Sequence, residues 1–141
     1  VKAPMAAWKT NAGDKKGVHW FLRSSKSGIR NFVVDVNFWK SFLKKRFLIP
    51  LGQETSLTLF KTEPENHSLF ASHIKAERGK VQTDEASGRR VEVWDAIPGE
   101  DNDFLDTATG AMALLSFSGA GCLGAEPDQK KQKKRKQVTY F

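Results

Sequence analysis

The part of the sequence richest in chemically capable groups is an acidic stretch at residues 98–106 (PGEDNDFLD), which contains four carboxylates. It runs into an apolar segment at residues 108–117, and together they predict a helix from about residue 102 to 117. Asp101 or Asn102 could cap this helix, because a short side-chain oxygen accepts a hydrogen bond from a free first-turn amide.

Asp103 and Asp106 fall in the opening turn of that predicted helix. The helix dipole favours negative charge there, and positions three apart project from neighbouring faces. Ionised carboxylates on a rigid backbone are suitable ligands for Mg²⁺ or Mn²⁺. The residue types alone are equally typical of a well-capped helix start with complementary charge.

Length and composition place the chain among folded single domains. It has 141 residues, 39% of them apolar, with ten Phe and four Trp, which is enough for a core. No apolar run reaches the length of a membrane span and no signal peptide is evident, so we expect no membrane association. The single cysteine, Cys122, forms no internal disulfide and fits a reducing, cytoplasmic setting.

The positive charge is concentrated at the end of the chain. The net charge is +7, and residues 126–136 carry six positive and two negative side chains. We therefore predict a folded domain at residues 1–124 and a disordered basic tail at residues 125–141. The tail is typical of a solubilising terminus, a localisation signal or a nucleic-acid contact; six neutralised phosphates would give a log–log salt slope of roughly −5. Its cationic residues are Lys130, Lys131, Lys133, Lys134, Arg135 and Lys136.

Hydrophobic patterning predicts the element order β-β-α-β-α-β-β-α, a mixed sheet with flanking helices. A hairpin is indicated by the turn at residues 86–88. The predicted strands span residues 18–23, 31–36, 56–60, 80–84 and 89–94, and the predicted helices span residues 37–48, about 64–78 and about 102–117.

The first predicted helix has an apolar face and a basic face. Asp35 or Asn37 would cap it. The basic face carries Lys40, Lys44 and Lys45. With Arg89 and Arg90, these lysines could contact DNA phosphates, or they could be an ordinary solvated face.

Several other motifs do not indicate a nucleotide or zinc site. Residues 119–124 (GAGCLG) match dinucleotide-binding spacing, but they follow a helix rather than a strand, so we interpret them as a helix stop. No ATPase phosphate-binding loop is present. Cys122 has no Cys or His at zinc-ligand spacing. His67 and His73 lie on one predicted helix and could be surface or core residues.

Four segments together resemble the C-terminal nuclease domain of phage terminase large subunits, the GpA-like family. Their order and approximate spacing both match, and the resemblance covers roughly residues 1–124. The segments are residues 31–41 (NFVVDVNFWKS), 73–77 (HIKAE), 88–94 (GRRVEVW) and 101–106 (DNDFLD), with Gly110 one helical turn on.

The resemblance implies an RNase H-like fold and DNA cleavage with two Mg²⁺ or Mn²⁺ ions, which suits phosphodiester hydrolysis. It also implies that Asp106 is the third acidic metal ligand, supported by Asn102 and Asp103. Asp35, at a strand end, could lie near the metals but more often such a residue caps a helix. The implied partners are double-stranded DNA, the terminase small subunit and the portal, inside the host cytoplasm.

The chain also departs from that family. The family's first two metal-binding acids lie on opening strands upstream of this sequence, so the resemblance keeps one acid of three and a fold lacking its first strands. An isolated carboxylate binds Mg²⁺ poorly, which predicts a weak nuclease. A sheet without its first strands would expose an edge and favour self-association.

Two other function classes remain open on the sequence. One is a non-catalytic nucleic-acid-binding module whose tail supplies most of the affinity. The other is a relic or interaction protein whose apolar helix faces pack against a partner. None of these hypotheses requires an organic cofactor.

Overall fold

The computed structural model describes residues 8–25 and 27–120. Over these ranges the chain is a mixed α/β structure with two small antiparallel sheets and three helices. A short 3₁₀ turn precedes the second helix, and a hairpin separates the second helix from the third. In chain order the elements are β1 (Lys15–Gly17), β2 (Trp20–Ser24), β3 (Arg30–Val34), α1 (Val36–Phe47), the 3₁₀ turn (Pro64–His67), α2 (Ser68–Lys75), β4 (Glu77–Thr83), β5 (Arg90–Ala96) and α3 (Asp103–Ser118).

The first sheet has the strand order β1-β2-β3, and its two faces are covered by different parts of the chain. Trp20 pairs with Val34 across β2 and β3, so their side chains share one face. On that face the Trp20 ring lies 5.2 Å from the Phe117 ring of α3. On the opposite face Phe21 is buried and contacts the ring of Trp8. The sheet is therefore a wall of the core.

Trp39 is the centre of the core, with no exposed surface. It packs in one cluster with Trp20, Phe42 and Ala113, so α1, α3 and the first sheet meet at this residue. Its indole N–H donates to the backbone oxygen of His19 at 3.3 Å, which satisfies the polar atom of an otherwise apolar ring.

The second sheet is the β4–β5 hairpin, in which Gly79 pairs with Trp94. Its turn includes Gly88 at φ +65°, a backbone conformation that glycine adopts without steric cost. The hairpin packs against α1, because the indole N–H of Trp94 donates to the Ser41 hydroxyl at 2.9 Å. Helix α1 thus lies between the first sheet and the hairpin.

The structure confirms the predicted boundaries of the first and last helices to within one residue. Asp35 caps α1, accepting from the Phe38 amide at 3.2 Å, as predicted. Gly119 ends α3 in the left-handed region at φ +84°, which confirms the predicted helix stop. Asn102 is the N-cap residue of α3, but its side chain makes no capping bond, so that part of the prediction is wrong.

Two element predictions are wrong. Residues 56–60 form no strand; Phe60 is 74% exposed there, and the segment pairs with no strand among the described residues. Glu77 was expected near the end of a helix but begins β4 instead. The amide of Ile97 donates to the backbone oxygen of Ala76 at 2.8 Å, so hairpin pairing extends back to this point and overrides the helical pattern.

The predicted single mixed sheet is replaced, over the described ranges, by two separate antiparallel sheets. The outer side of β3 pairs with no strand of these ranges, so self-association through a sheet edge stays a prediction. The predicted basic tail at residues 125–141 and the proposed boundary at residue 124 lie outside the described residues. Within residues 8–25 and 27–120, no helix has the length and apolar character needed to cross a membrane.

We expect Trp39→Ala to lower the free energy of unfolding by about 3–5 kcal/mol, because it removes a fully buried aromatic ring and leaves a cavity. Leu51→Ala, at a position 84% exposed, is the control and should change stability by less than about 0.5 kcal/mol. Urea unfolding followed by tryptophan fluorescence and circular dichroism measures both. Equal losses in the two variants would contradict this assignment of the core.

Candidate functional site

The most unusual feature of the structure is a buried lysine held between two carboxylates. Lys40 of α1 is 5% exposed. Its ammonium lies 2.5 Å from Oε1 of Glu77 and 2.7 Å from Oδ1 of Asp106. Glu77, at the start of β4, is equally buried, whereas the Asp106 side chain on α3 is 55% exposed. A buried charge is tolerated only when opposite charges and hydrogen bonds compensate its lost hydration.

Asn102 joins the two carboxylates from a third direction. Its side-chain amide nitrogen donates to Glu77 Oε1 at 2.6 Å and lies 3.3 Å from Asp106 Oδ2. We call Lys40, Glu77, Asn102 and Asp106 the Lys40 cluster. It carries a formal charge of −1 and links α1, β4 and the start of α3.

The start of α3 is fixed by tertiary contacts rather than by its own cap. The Phe104 amide, one of the free first-turn donors, lies 3.5 Å from Nδ1 of His73 on α2. The His73 ring is also 4.7 Å from the Phe104 ring. His73 is therefore a buried residue that orients the helix start, which frees the Asn102 side chain to bridge the two carboxylates.

The basic face predicted for α1 is only partly present. The expected exposed position of Lys40 is wrong, because β4 and α3 cover that part of the helix. Lys44 and Lys45 are exposed as expected, and the Lys44 ammonium lies 4.9 Å from the centre of the Trp94 ring. Arg90 at the start of β5 is exposed and Arg89 is partly exposed. Their contact with DNA stays a prediction.

A cavity of about 380 Å³ lies beside the Lys40 cluster. Lys40 and Glu77 line it together with Asp35, and the rings of Trp8 and Trp94 form part of its wall. Asp106 is not among its lining residues. The structure thus brings Asp35 to the same cavity as the buried ion pair.

Asp35 has both carboxylate oxygens engaged. One accepts from the Phe38 amide, and the other lies 3.1 Å from Nδ1 of His19. Burial by itself raises the pKa of Asp35, but the His19 hydrogen bond, the Phe38 amide and the positive charges of His19 and Arg89 together hold that pKa below its ordinary value. Asp35 is therefore an ionised helix cap; its role as a metal ligand stays a prediction.

Within residues 8–25 and 27–120, no group of three or more His, Cys, Asp or Glu side chains is close enough to hold an ion. The two carboxylates that do converge, Glu77 and Asp106, share the Lys40 ammonium. A bound metal at this point would need further oxygen ligands and the departure of that ammonium.

The predicted site residues are therefore found at different places. Asp106 belongs to the Lys40 cluster, Asp35 lines the neighbouring cavity, and Asp103 is exposed on the first turn of α3. The six cationic residues of the tail lie outside the described residues. Sequence reasoning did not predict the Lys40–Glu77 pair. Its only signal was that Glu77 belongs to one of the segments that carry the family resemblance.

Comparison of the chain with models of known protein families, with curated proteins and with solved structures finds no match.

We expect Lys40→Met to lower the free energy of unfolding by about 3–5 kcal/mol, because Glu77 would stay buried without its main counter-charge. Lys45→Met removes the same charge from an exposed position of the same helix and should cost less than about 0.5 kcal/mol. Adding Glu77→Gln to Lys40→Met should cost less than the sum of the single changes. Urea unfolding measures the parent and the four variants, Glu77→Gln alone included, and equal losses for the two lysines would contradict the buried ion pair.

The charge of Asp35 should make the stability of the fold depend on pH. Because the pKa of Asp35 is lower in the folded state, its charge stabilises the protein above its unfolded pKa of about 3.9, and this stabilisation is lost as the pH falls through the lower folded value. Asp35→Asn keeps a capping oxygen but removes the charge, so the parent should be more stable than this variant at pH 7, and the difference should shrink as the pH falls below about 4.

Urea unfolding at a series of pH values measures this difference. His19→Asn removes the hydrogen-bond partner while tolerating the positive φ of that position. In this background the pH-dependent difference should become smaller. A difference that stays constant from pH 7 to pH 2 would show that Asp35 acts only as a neutral hydrogen-bond acceptor.

Proposed function

We propose that this chain is the downstream part of the nuclease domain of a phage or prophage terminase large subunit. In this proposal the complete domain is an RNase H-like, Mg²⁺- or Mn²⁺-dependent endonuclease that cuts concatemeric viral DNA in the host cytoplasm. Asp106 would be one of its acidic metal ligands, and its partners would be double-stranded DNA, the terminase small subunit and the portal.

One observation supports the proposal most directly: the four segments that carry the family resemblance meet in space. Residues 31–41 supply Lys40, residues 73–77 supply Glu77, and residues 101–106 supply Asn102 and Asp106. The fourth segment, residues 88–94, packs on α1 beside them through the Trp94–Ser41 hydrogen bond. These segments lie far apart in the sequence, and their meeting at one place is what a shared site of that family would require.

The cluster gives each residue a distinct task. Lys40 and Asn102 fix the Asp106 carboxylate from two directions, and His73 fixes the helix start that carries it. The Asp106 side chain stays half exposed, so it is accessible to a partner group or a nucleic acid. The remaining carboxylates of a two-metal centre would come from chain that the described residues do not include.

Exposed cationic side chains near the Lys40 cluster could attract DNA to this region. Lys44 and Lys45 are exposed on α1, and Arg90 is exposed on the hairpin that packs against α1. Cationic side chains of this kind contact phosphates without reading sequence. We propose that they form a track beside the Lys40 cluster and that the basic tail adds to it.

A second candidate function is a non-catalytic nucleic-acid-binding module. The observation that favours it is the Lys40 ammonium, which occupies the space between the two converging carboxylates. In such a module the acidic residues would only stabilise the fold, and the lysines and arginines would supply the function.

The decisive measurement is nicking of supercoiled plasmid by this chain during a Mn²⁺ titration. We expect slow, Mn²⁺-dependent nicking that Asp106→Ala reduces by more than about 100-fold, because a ligand lost from the metal should cost at least as much as a supporting residue. Glu100→Ala is the matched control, since it removes an exposed carboxylate just before α3, and it should retain activity.

The same proteins are tested for binding to duplex DNA in EDTA. Binding without nicking, unchanged by Asp106→Ala and abolished by deleting residues 126–141, would replace the endonuclease with the binding module. Nicking that is equal in the parent and Asp106→Ala would also contradict the proposal. If the chain shows no nicking, and no binding above a salt-sensitive background, the result favours an interaction protein.

A further inference from the structure

We infer that Lys40 is a resident cation that takes the place of a divalent metal between Glu77 and Asp106, and that it thereby decides whether this site takes up metal. The inference rests on the proposed function, because it concerns metal access to the same Asp106 carboxylate. It assigns Lys40 a role as a positioning and specificity-determining residue, which neither its expected exposure nor the family resemblance suggested.

The geometry around the ammonium resembles the inner part of a cation site. Two carboxylate oxygens from different elements lie 2.5 and 2.7 Å from one nitrogen atom. Ca²⁺ binds oxygens at about 2.3–2.6 Å and Mg²⁺ at about 2.0–2.1 Å, so small side-chain movements would close these oxygens around a metal. Asn102 touches both carboxylates and carries an amide oxygen that could become a third ligand after rotation of the amide.

The charges explain why the lysine would exclude the metal. With Lys40 in place the cluster has a formal charge of −1, and a divalent cation would lie beside the ammonium in a largely buried space. Like charges a few ångströms apart repel strongly where the dielectric constant is low. Without the lysine charge the same groups carry −2, which matches a divalent ion, while water supplies the remaining ligands.

Burial makes this different from an ordinary surface ion pair. Glu77 is 5% exposed and accepts from both Lys40 and Asn102, so its charge requires a cation in the folded state. Either an ammonium or a metal ion meets that requirement. The two cations are therefore alternatives at one position, and departure of Lys40 toward the adjoining cavity, which it lines, would open the site.

The test measures Mn²⁺ binding without DNA, by the electron paramagnetic resonance signal of free aqueous Mn²⁺. We expect Lys40→Met and Lys40→Gln to bind Mn²⁺ at least about tenfold more tightly than the parent, because removal of the ammonium removes a direct repulsion. Lys75→Met, with the same change of net charge at an exposed position of α2, should bind as the parent does. Adding Asp106→Ala to Lys40→Met should abolish the gain.

Stability supplies a second readout, since Lys40→Met is expected to weaken the fold. If the variant is unfolded in EDTA, Mn²⁺ should restore its circular dichroism spectrum, whereas Ala at Asp106 should prevent this rescue. Lys40→Gln keeps a neutral donor for Glu77 and decides the matter if Lys40→Met stays unfolded with Mn²⁺. Lys40→Gln binding Mn²⁺ no more tightly than the parent, or more weakly, would overturn the inference and leave Lys40 as a purely structural partner.

The resident-cation inference and the endonuclease proposal can fail independently of each other. Tight Mn²⁺ binding by Lys40→Gln, with no plasmid nicking by that variant or by the parent, would uphold the resident cation and reject the nuclease. Nicking that depends on Asp106, with unchanged Mn²⁺ binding in the Lys40 variants, would do the reverse.

Discussion

The rest of the structure depends on the need to compensate the buried ammonium of Lys40. Dehydrating this charge is so unfavourable that opposite charges must be delivered to it, and they come from β4 and from the start of α3. The two sheets share no strand, and neither sheet donates backbone hydrogen bonds to the other in the described ranges. The ion pairs of Lys40 thus help to fix the hairpin and the last helix relative to the core, alongside the hydrogen bonds of Ser41 to the hairpin and of Trp20 to α3.

Helix α1 is covered by other elements on two sides, which explains why its sequence pattern predicted an exposed Lys40. Trp39 and Phe42 pack toward the first sheet and α3, as an amphipathic pattern predicts. The opposite side is not solvated, because Ser41 donates to Glu92 at 2.5 Å and accepts from the Trp94 indole. A polar face that meets a polar strand face has the same residue pattern as one that meets water. Periodicity alone could not distinguish Lys40 from the exposed Lys44 and Lys45.

The features that could be predicted from the sequence are those that local interactions determine. The Asp35 cap, the bounds of α1, the hairpin turn and the Gly119 stop all rest on contacts within a few residues. The errors fall where distant segments compete with local preference. Residues 56–60 have strand-like side chains but no strand to pair with, and Glu77 follows a helical pattern until pairing with Ala96 draws it into β4. The candidate site follows the same division: the position of Asp106 in the first turn of α3 was predicted from local pattern, whereas its contact with Lys40 depends on tertiary packing.

The carboxylates of the Lys40 cluster are subject to two opposing demands. Stability requires that Glu77 and Asp106 surround an ammonium, since a buried carboxylate without a counter-charge would weaken the fold. Phosphodiester chemistry with metals requires that such carboxylates be free to bind an ion. Glu77 cannot meet both demands at once, because it is almost fully buried. Asp106 is half exposed, so part of its side chain meets solvent while one oxygen holds the lysine. If the resident-cation inference holds, the same ion pair stabilises the free protein and keeps the Asp106 carboxylate oriented until a divalent ion takes the place of Lys40.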